Sequence, residues 1–181
     1  DAAAHLFRER VYLDASMLYI SDRVGLFVYS LYSHIGSKEE LLQKICFDNA
    51  QLFVEGLEAI EGYGGTAVQQ LRAVIGLHVD IATENPTSVT VFNDEWRHLT
   101  DTNLTRFLDL RKTYESRLQA IIARGVEKGI LKPVVPTVAL YTLLTSVRWL
   151  HYWYKPSRSV TPAQLKQQLG ILLLDGWVAG A

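Results

Sequence analysis

Three start signals of one kind, spread along the chain, leave little room for anything but helices. Ser37 with Glu40, Thr66 with Gln69, and Thr161-Pro162 with Gln164 each place a hydroxyl before a helical run and a Glu or Gln three residues on. In this arrangement the hydroxyl takes an orphan N–H of the first turn and the longer side chain reaches back to the cap's own N–H. The apolar residues that follow recur at three and four residue spacing: Leu42, Ile45, Cys46, Phe53, Leu57 and Ile60 after the first signal, and Val68, Leu71, Val74, Ile75, Val79 and Ala82 after the second. No period-two alternation bounded by hairpin turns competes with them.

The expected architecture is all-α with nine helices. A first helix covers Ala2 to Arg10, a second about Met17 to Val24 with Ser16 as cap and Gly25 as exit, and a third about Val28 to His34. The fourth and fifth follow the signals above, separated by Gly62, Gly64 and Gly65 and closed by Asn85-Pro86. The sixth spans about Thr87 to Leu99, the seventh Asn103 to Lys128 with Gly129 as exit, the eighth Pro136 to Tyr154, and the ninth begins at Thr161. The chain opens on Asp1 inside a helical pattern, so residues upstream are expected.

At 181 residues, 49% hydrophobic and 20% charged, the chain can bury a core as one domain or as a small module joined to a larger one. Lys+Arg 18 against Asp+Glu 19 gives no bulk basic excess, so any contact with nucleic acid has to come from a local arrangement. The single cysteine, Cys46, excludes an internal disulfide and a multi-cysteine zinc site, and suits a reducing cytoplasm. The most apolar stretch, Val134 to Leu150, contains Pro136 and Arg148 and reads as a buried helix, not a membrane span.

Within Ser16 to Leu42, two short helices joined at Gly25 have the size and turn of a helix-turn-helix, with Ile20, Val24, Leu26, Leu31 and Ile35 as the apolar residues that lock them together. The string Leu31-Tyr-Ser-His-Ile-Gly-Ser-Lys-Glu-Glu-Leu-Leu42 resembles the end of the recognition helix and the start of the fourth helix in the TetR family. Ala3-Ala4-x-Leu6-Phe7 and Ile20-Ser21-x-x-Val24-Gly25 resemble the same family. The resemblance implies an N-terminal three-helix DNA-binding domain, residues 1–46, and a C-terminal helical ligand-binding and dimerisation domain, residues 47–181. It further implies a bacterial, cytoplasmic repressor that holds a double-stranded, roughly palindromic operator as a homodimer.

On that resemblance the DNA-contacting residues are Ser16, Tyr29, Ser30, Tyr32, Ser33, His34 and Lys38. Tyr32 is read either as a backbone contact or as a core aromatic. Lys38, at the start of the fourth helix, has an independent physical reason to meet a phosphate, since free N–H groups and the helix dipole gather there. One departure stands out: where the family carries a capping serine or threonine followed by basic and small residues, this chain has Phe27-Val28-Tyr29. Phenylalanine cannot cap and valine cannot pair with a phosphate. An alternative reading is therefore a helical ligand-binding and dimerisation protein with impaired DNA binding.

The second half concentrates aromatic residues and cations. Phe92, Trp96, Arg97 and His98 lie on the sixth helix, Arg106 and Tyr114 on the seventh, and Arg148, Trp149 and Trp153 on the eighth. Rings with a few convergent cations suit an amphipathic anion such as a CoA thioester. They suit a core and a dimer surface equally well. Glu95-Trp96-Arg97, Arg111-x-x-Tyr114-Glu115 and the stretch from Trp149 to Pro162 resemble the subgroup that regulates fatty-acid and steroid catabolism, whose ligands are typically CoA thioesters. The expected effector site is Phe92, Trp96, Arg97, Arg106, Tyr114, Arg148, Trp149 and Trp153. The resemblance also implies pairing through the last two long helices. Val138, Tyr141, Leu144, Trp149 and Tyr152 would meet Leu165, Leu169, Leu172, Leu173 and Trp177 there.

Catalysis finds no support. Glu95-x-x-His98 has the spacing of di-iron bundles, but a second copy and two further carboxylates are missing. No phosphate loop, zinc-protease motif or nucleophile with a base is present, so no enzyme activity, metal or cofactor is expected.

Overall fold

The computed structural model describes Ala4, Tyr12, Ser16 and residues 36–155 and 160–178. The expected second and third helices lie outside these residues. Among the described residues the chain is helical: α1 (Lys38–Tyr63), α2 (Ala67–Glu84), α3 (Pro86–Asp94), a 3₁₀ turn (Trp96–His98), α4 (Asp101–Glu127), α5 (Pro136–Arg148), α6 (Leu150–Trp153), α7 (Pro162–Gly170) and a π-helical turn (Ile171–Asp175). An isolated bridge joins Leu131 and Val178, with Lys132 N–H donating to the Trp177 carbonyl at 2.6 Å.

The start signals form as chemistry requires. Ser37 Oγ accepts the Glu40 N–H at 3.1 Å, and the Glu40 carboxylate reaches back to the Gly36 N–H at 2.7 Å, one residue before the cap. Thr66 and Gln69 close a reciprocal box at 2.8 and 3.3 Å, and Thr161 and Gln164 another at 2.9 and 3.2 Å with Pro162 in the first turn.

Two expected helices are interrupted. The stretch from Pro136 to Tyr154 breaks at Trp149 without glycine or internal proline. The cause is a competitor for one carbonyl: His151 Nδ1–H donates to the Arg148 oxygen at 2.6 Å, and the Tyr152 N–H turns to the Trp149 oxygen instead. A side chain inserted into the i→i−4 ladder is a recognised cause of helix breaks. The stretch from Thr87 to Leu99 tightens into the 3₁₀ turn after Asp94, with His98 N–H donating to Glu95 and Leu99 N–H to Trp96.

Packing divides the chain into two compact units, one of Asp1–Gln51 and Asn85–Leu110 and one of Leu52–Glu84 and Arg111–Ala181. The first is built on Leu42, Cys46, Val91, Leu99 and Phe107, with Ala4 and Tyr12 buried against them. The second is built on Leu57, Leu71, Val74, Ile75, Leu118, Ile121, Ile122, Leu140 and Leu143. Gly125 belongs to this close packing, since a Cβ there would lie 2.7 Å from Ala67 Cβ and from Leu131 Cδ1.

The same packing corrects two residues of the expected dimer surface. Leu144 and Leu165 are 1% and 3% exposed and belong to the chain's own core, because α5 and α7 both pack on α2. Val138, Tyr141, Trp149, Tyr152 and Leu172 do face outward.

Candidate DNA-contacting and effector-binding residues

Of the DNA-contacting set, Tyr29, Ser30, Tyr32, Ser33 and His34 lie outside the described residues, and Ser16 is exposed. Lys38 occupies the first position of α1. Its ammonium donates to the Tyr12 carbonyl at 3.0 Å and lies 4.3 Å from the centroid of the Tyr12 ring. A cation so placed is held by the ring quadrupole as well as by the hydrogen bond.

The expected effector residues separate into two groups, one in each unit. In the first unit Phe92 and Trp96 gather on Phe107, Trp96 stacked at 5.9 Å and Phe92 edge-on at 5.6 Å. Arg106 lies 5.0 Å from the Phe47 ring centroid, and Arg97 is exposed. The thiol of Cys46, in the same core, is pushed up to about 12 by burial and by the Glu95 carboxylate, which leaves it a neutral packing group at physiological pH.

In the second unit Tyr114 is buried and its hydroxyl lies 3.0 Å from Nε2 of buried His78. Phe53 lies over the imidazole at 4.6 Å and meets the Tyr114 ring edge-on at 6.1 Å. Burial, aided by the Arg148 charge, depresses the His78 pKa to about 3, so its imidazole is neutral and acts as a fixed hydrogen-bonding group. Burial also raises the Tyr114 hydroxyl.

One residue on, Glu115 gathers Arg111 Nε at 3.0 Å, Arg148 Nη2 at 3.1 Å and the Tyr141 hydroxyl at 3.2 Å. Burial alone would raise this carboxyl, but the two guanidinium groups outweigh it and hold the carboxyl low. Burial and the nearby Arg111 charge lower the Arg148 guanidinium, against the pull of Glu115. Trp149 and Trp153 are 54% and 47% exposed, and Trp149 packs on Tyr152 at 4.6 Å.

The unit thus offers a buried neutral donor and acceptor pair, His78 and Tyr114. Beside it stands a cation, Arg148, already engaged by a carboxylate. Phe53, His78 and Glu115 were not among the expected site residues. His78 had a readable signal, since it falls on the apolar stripe of α2, three residues after Ile75 and seven after Leu71.

Glu95 and His98 contact each other at 3.4 Å, and among the described residues no group of three metal-binding side chains occurs. No described helix is long and apolar enough to cross a membrane.

Residues 64–177 match the family model described as Tetracyclin repressor-like, C-terminal domain. Over 178 residues the chain is 25% identical to the HTH-type transcriptional repressor KstR2 of Rhodococcus jostii, covering 97% of this chain and 87% of that one. The structure of the ketosteroid transcriptional regulator KstR2 of Mycobacterium tuberculosis superposes with a TM-score of 0.93 at 21% identity, over 98% of this chain and 91% of that one. AibR, solved in complex with isovaleryl coenzyme A and operator DNA, superposes with a TM-score of 0.85 at 27% identity, over 94% and 93% of the two chains.

Proposed function

Because the chain belongs to the Tetracyclin repressor-like (TetR) family, we propose that it is a ligand-responsive transcriptional repressor. It holds a palindromic operator as a homodimer and is released by a small amphipathic effector such as an acyl-CoA thioester. The observation that carries this reading is the match to the KstR2 repressors, which runs along 97% of the chain and so takes in both the N-terminal segment and the helical remainder. AibR, a neighbour at 27% identity, was solved with a CoA thioester and operator DNA together.

The division of labour follows. Residues 1–46 bind DNA through Ser16, Tyr29, Ser30, Tyr32, Ser33, His34 and Lys38. Residues 47–181 bind the effector and pair the subunits. The outward row Val138, Tyr141, Trp149, Tyr152 and Leu172 supplies the apolar surface for pairing. Tyr114 and Arg148 supply the polar contacts for an anionic effector, with His78 orienting the Tyr114 hydroxyl. Trp149 and Trp153 complete the proposed set within this unit, and Phe92, Trp96, Arg97 and Arg106 are the proposed effector contacts of the first unit. The protein acts in the bacterial cytoplasm, without catalysis, a metal or a cofactor.

The mechanism needs only differential affinity. An effector that prefers the DNA-incompetent arrangement by about 3 kcal/mol shifts the equilibrium more than a hundredfold. The test is a gel shift with genomic fragments at low salt, followed by titration with long-chain acyl-CoA. A shifted fragment released by acyl-CoA is the expected result. Absence of any shift returns the chain to the alternative in which Phe27-Val28-Tyr29 has cost it DNA binding, and a shift untouched by any thioester removes the effector class.

A further inference from the structure

The Glu95-x-x-His98 pair, which metal chemistry leaves unused, has a geometric role within the first unit. The Glu95 carboxylate, on a residue 8% exposed, meets His98 Nε2 at 3.4 Å. The imidazole so held lies flat on Tyr12, with centroids 5.3 Å apart and planes 21° apart. Tyr12 is 4% exposed, and its ring, hydroxyl and carbonyl are all engaged. Its ring meets His98 and the Lys38 ammonium, its hydroxyl donates to Glu39 Oε1 at 3.3 Å, and its carbonyl accepts from Lys38 Nζ at 3.0 Å.

Tyr12 precedes by four residues the Ser16 cap of the expected helix-turn-helix, and Lys38 and Glu39 open α1 just beyond that module. The chain on either side of the expected DNA-binding helices is therefore tied together at Tyr12. The 3₁₀ turn Trp96–His98 braces that tie from outside, itself anchored by the Trp96 stack on Phe107.

We propose that His98 is a positioning residue for DNA binding: held by Glu95, its ring clamps Tyr12 against the first turn of α1 and so sets how the helix-turn-helix is presented. The clamp is a contact of this structure. Its consequence for DNA rests on the repressor reading above.

The experiment pairs amide hydrogen exchange, read on peptides carrying Tyr12 and residues 36–42 with α2 peptides as internal reference, with the dissociation constant for a duplex selected by the wild type from a random pool. His98→Ala should speed exchange around Tyr12 and weaken the duplex, each by about tenfold, the scale of one aromatic contact, while α2 exchanges as in wild type. His98→Gln, which keeps a polar group near Glu95 but no ring, should behave likewise. His98→Phe should restore both readouts to within about threefold. Wild-type exchange at Tyr12 in His98→Ala and His98→Gln overturns the clamp, as does a His98→Phe that fails to rescue. Faster exchange with unchanged duplex affinity overturns the role in DNA binding. If the wild type selects no duplex, the repressor reading fails, the role in DNA binding goes with it, and the exchange arm alone decides the clamp.

Discussion

His98 in the first compact unit and His78 in the second are each held by a polar neighbour, a carboxylate for one and a hydroxyl for the other. The surroundings make them different tools. His78 is enclosed by Phe53, Tyr114 and the α2 core, and its proton is excluded by burial. What remains is a neutral, fixed hydrogen-bonding group inside a proposed effector domain. His98 is about a quarter exposed at its side chain, and it is the flat face of its ring that the structure uses, against Tyr12. The same residue type serves as polarity in one unit and as shape in the other, and what decides between them is solvent, not sequence context.

If only the polar groups distinguish the two units, their apolar cores are equally well packed. Leu42→Ala in the first unit and Leu71→Ala in the second, both fully buried leucines, should each cost about 2–5 kcal/mol in urea unfolding and agree within about 1 kcal/mol. A much cheaper Leu42→Ala would mean a loosely packed first unit, and the comparison of histidines would have to be redrawn.

The sharper probe is pH. Below about 6.5 the unfolded chain protonates His78 while the folded chain, with its pKa at about 3, does not. The unfolded state therefore binds more protons across that window, and stability rises with pH and falls on acidification. The loss is roughly 1.4 kcal/mol per pH unit, or about 2 kcal/mol between pH 6.5 and pH 5. Urea midpoints measured at those pH values should show this slope in wild type and a flattened one in His78→Gln. An equal slope in both would show that His78 is not the excluded proton.

The smallest effect tests the partner. Tyr114→Phe keeps the ring and removes the hydroxyl 3.0 Å from His78 Nε2, and should cost about 1–2 kcal/mol through the stranded imidazole nitrogen. A cost near zero would break the analogy between the two held histidines.

The helix starts were legible because capping is local chemistry: Thr66 with Gln69 and Thr161 with Gln164 close the boxes that their spacing announces. The break at Trp149 was not legible. It arises when the His151 ring competes for the Arg148 carbonyl, and a histidine three residues after an arginine carries no such message in sequence. Leu144 and Leu165 read as outward because a helix that is apolar on several sides does not declare which stripe meets its own chain and which a partner.

For the site, residue types were visible and partners were not. Tyr114 and Arg148 stood out as a ring and a cation in an aromatic run, whereas the hydroxyl's choice of His78 and the guanidinium's choice of Glu115 depend on packing between segments 36 and 33 positions apart. The contact between Tyr12 and His98 spans 86 positions and had no signal at all.

The row of outward apolar side chains along α5, the break at Trp149 and α6, namely Val138, Tyr141, Trp149 and Tyr152, has a consequence for dosage. With the proposed pairing, in which a second copy covers this row, the active species depends on the square of the monomer concentration until pairing saturates. Halving synthesis of the chain in that regime quarters the amount of active regulator, so the abundance of the protein becomes an input to its own output, alongside any small molecule.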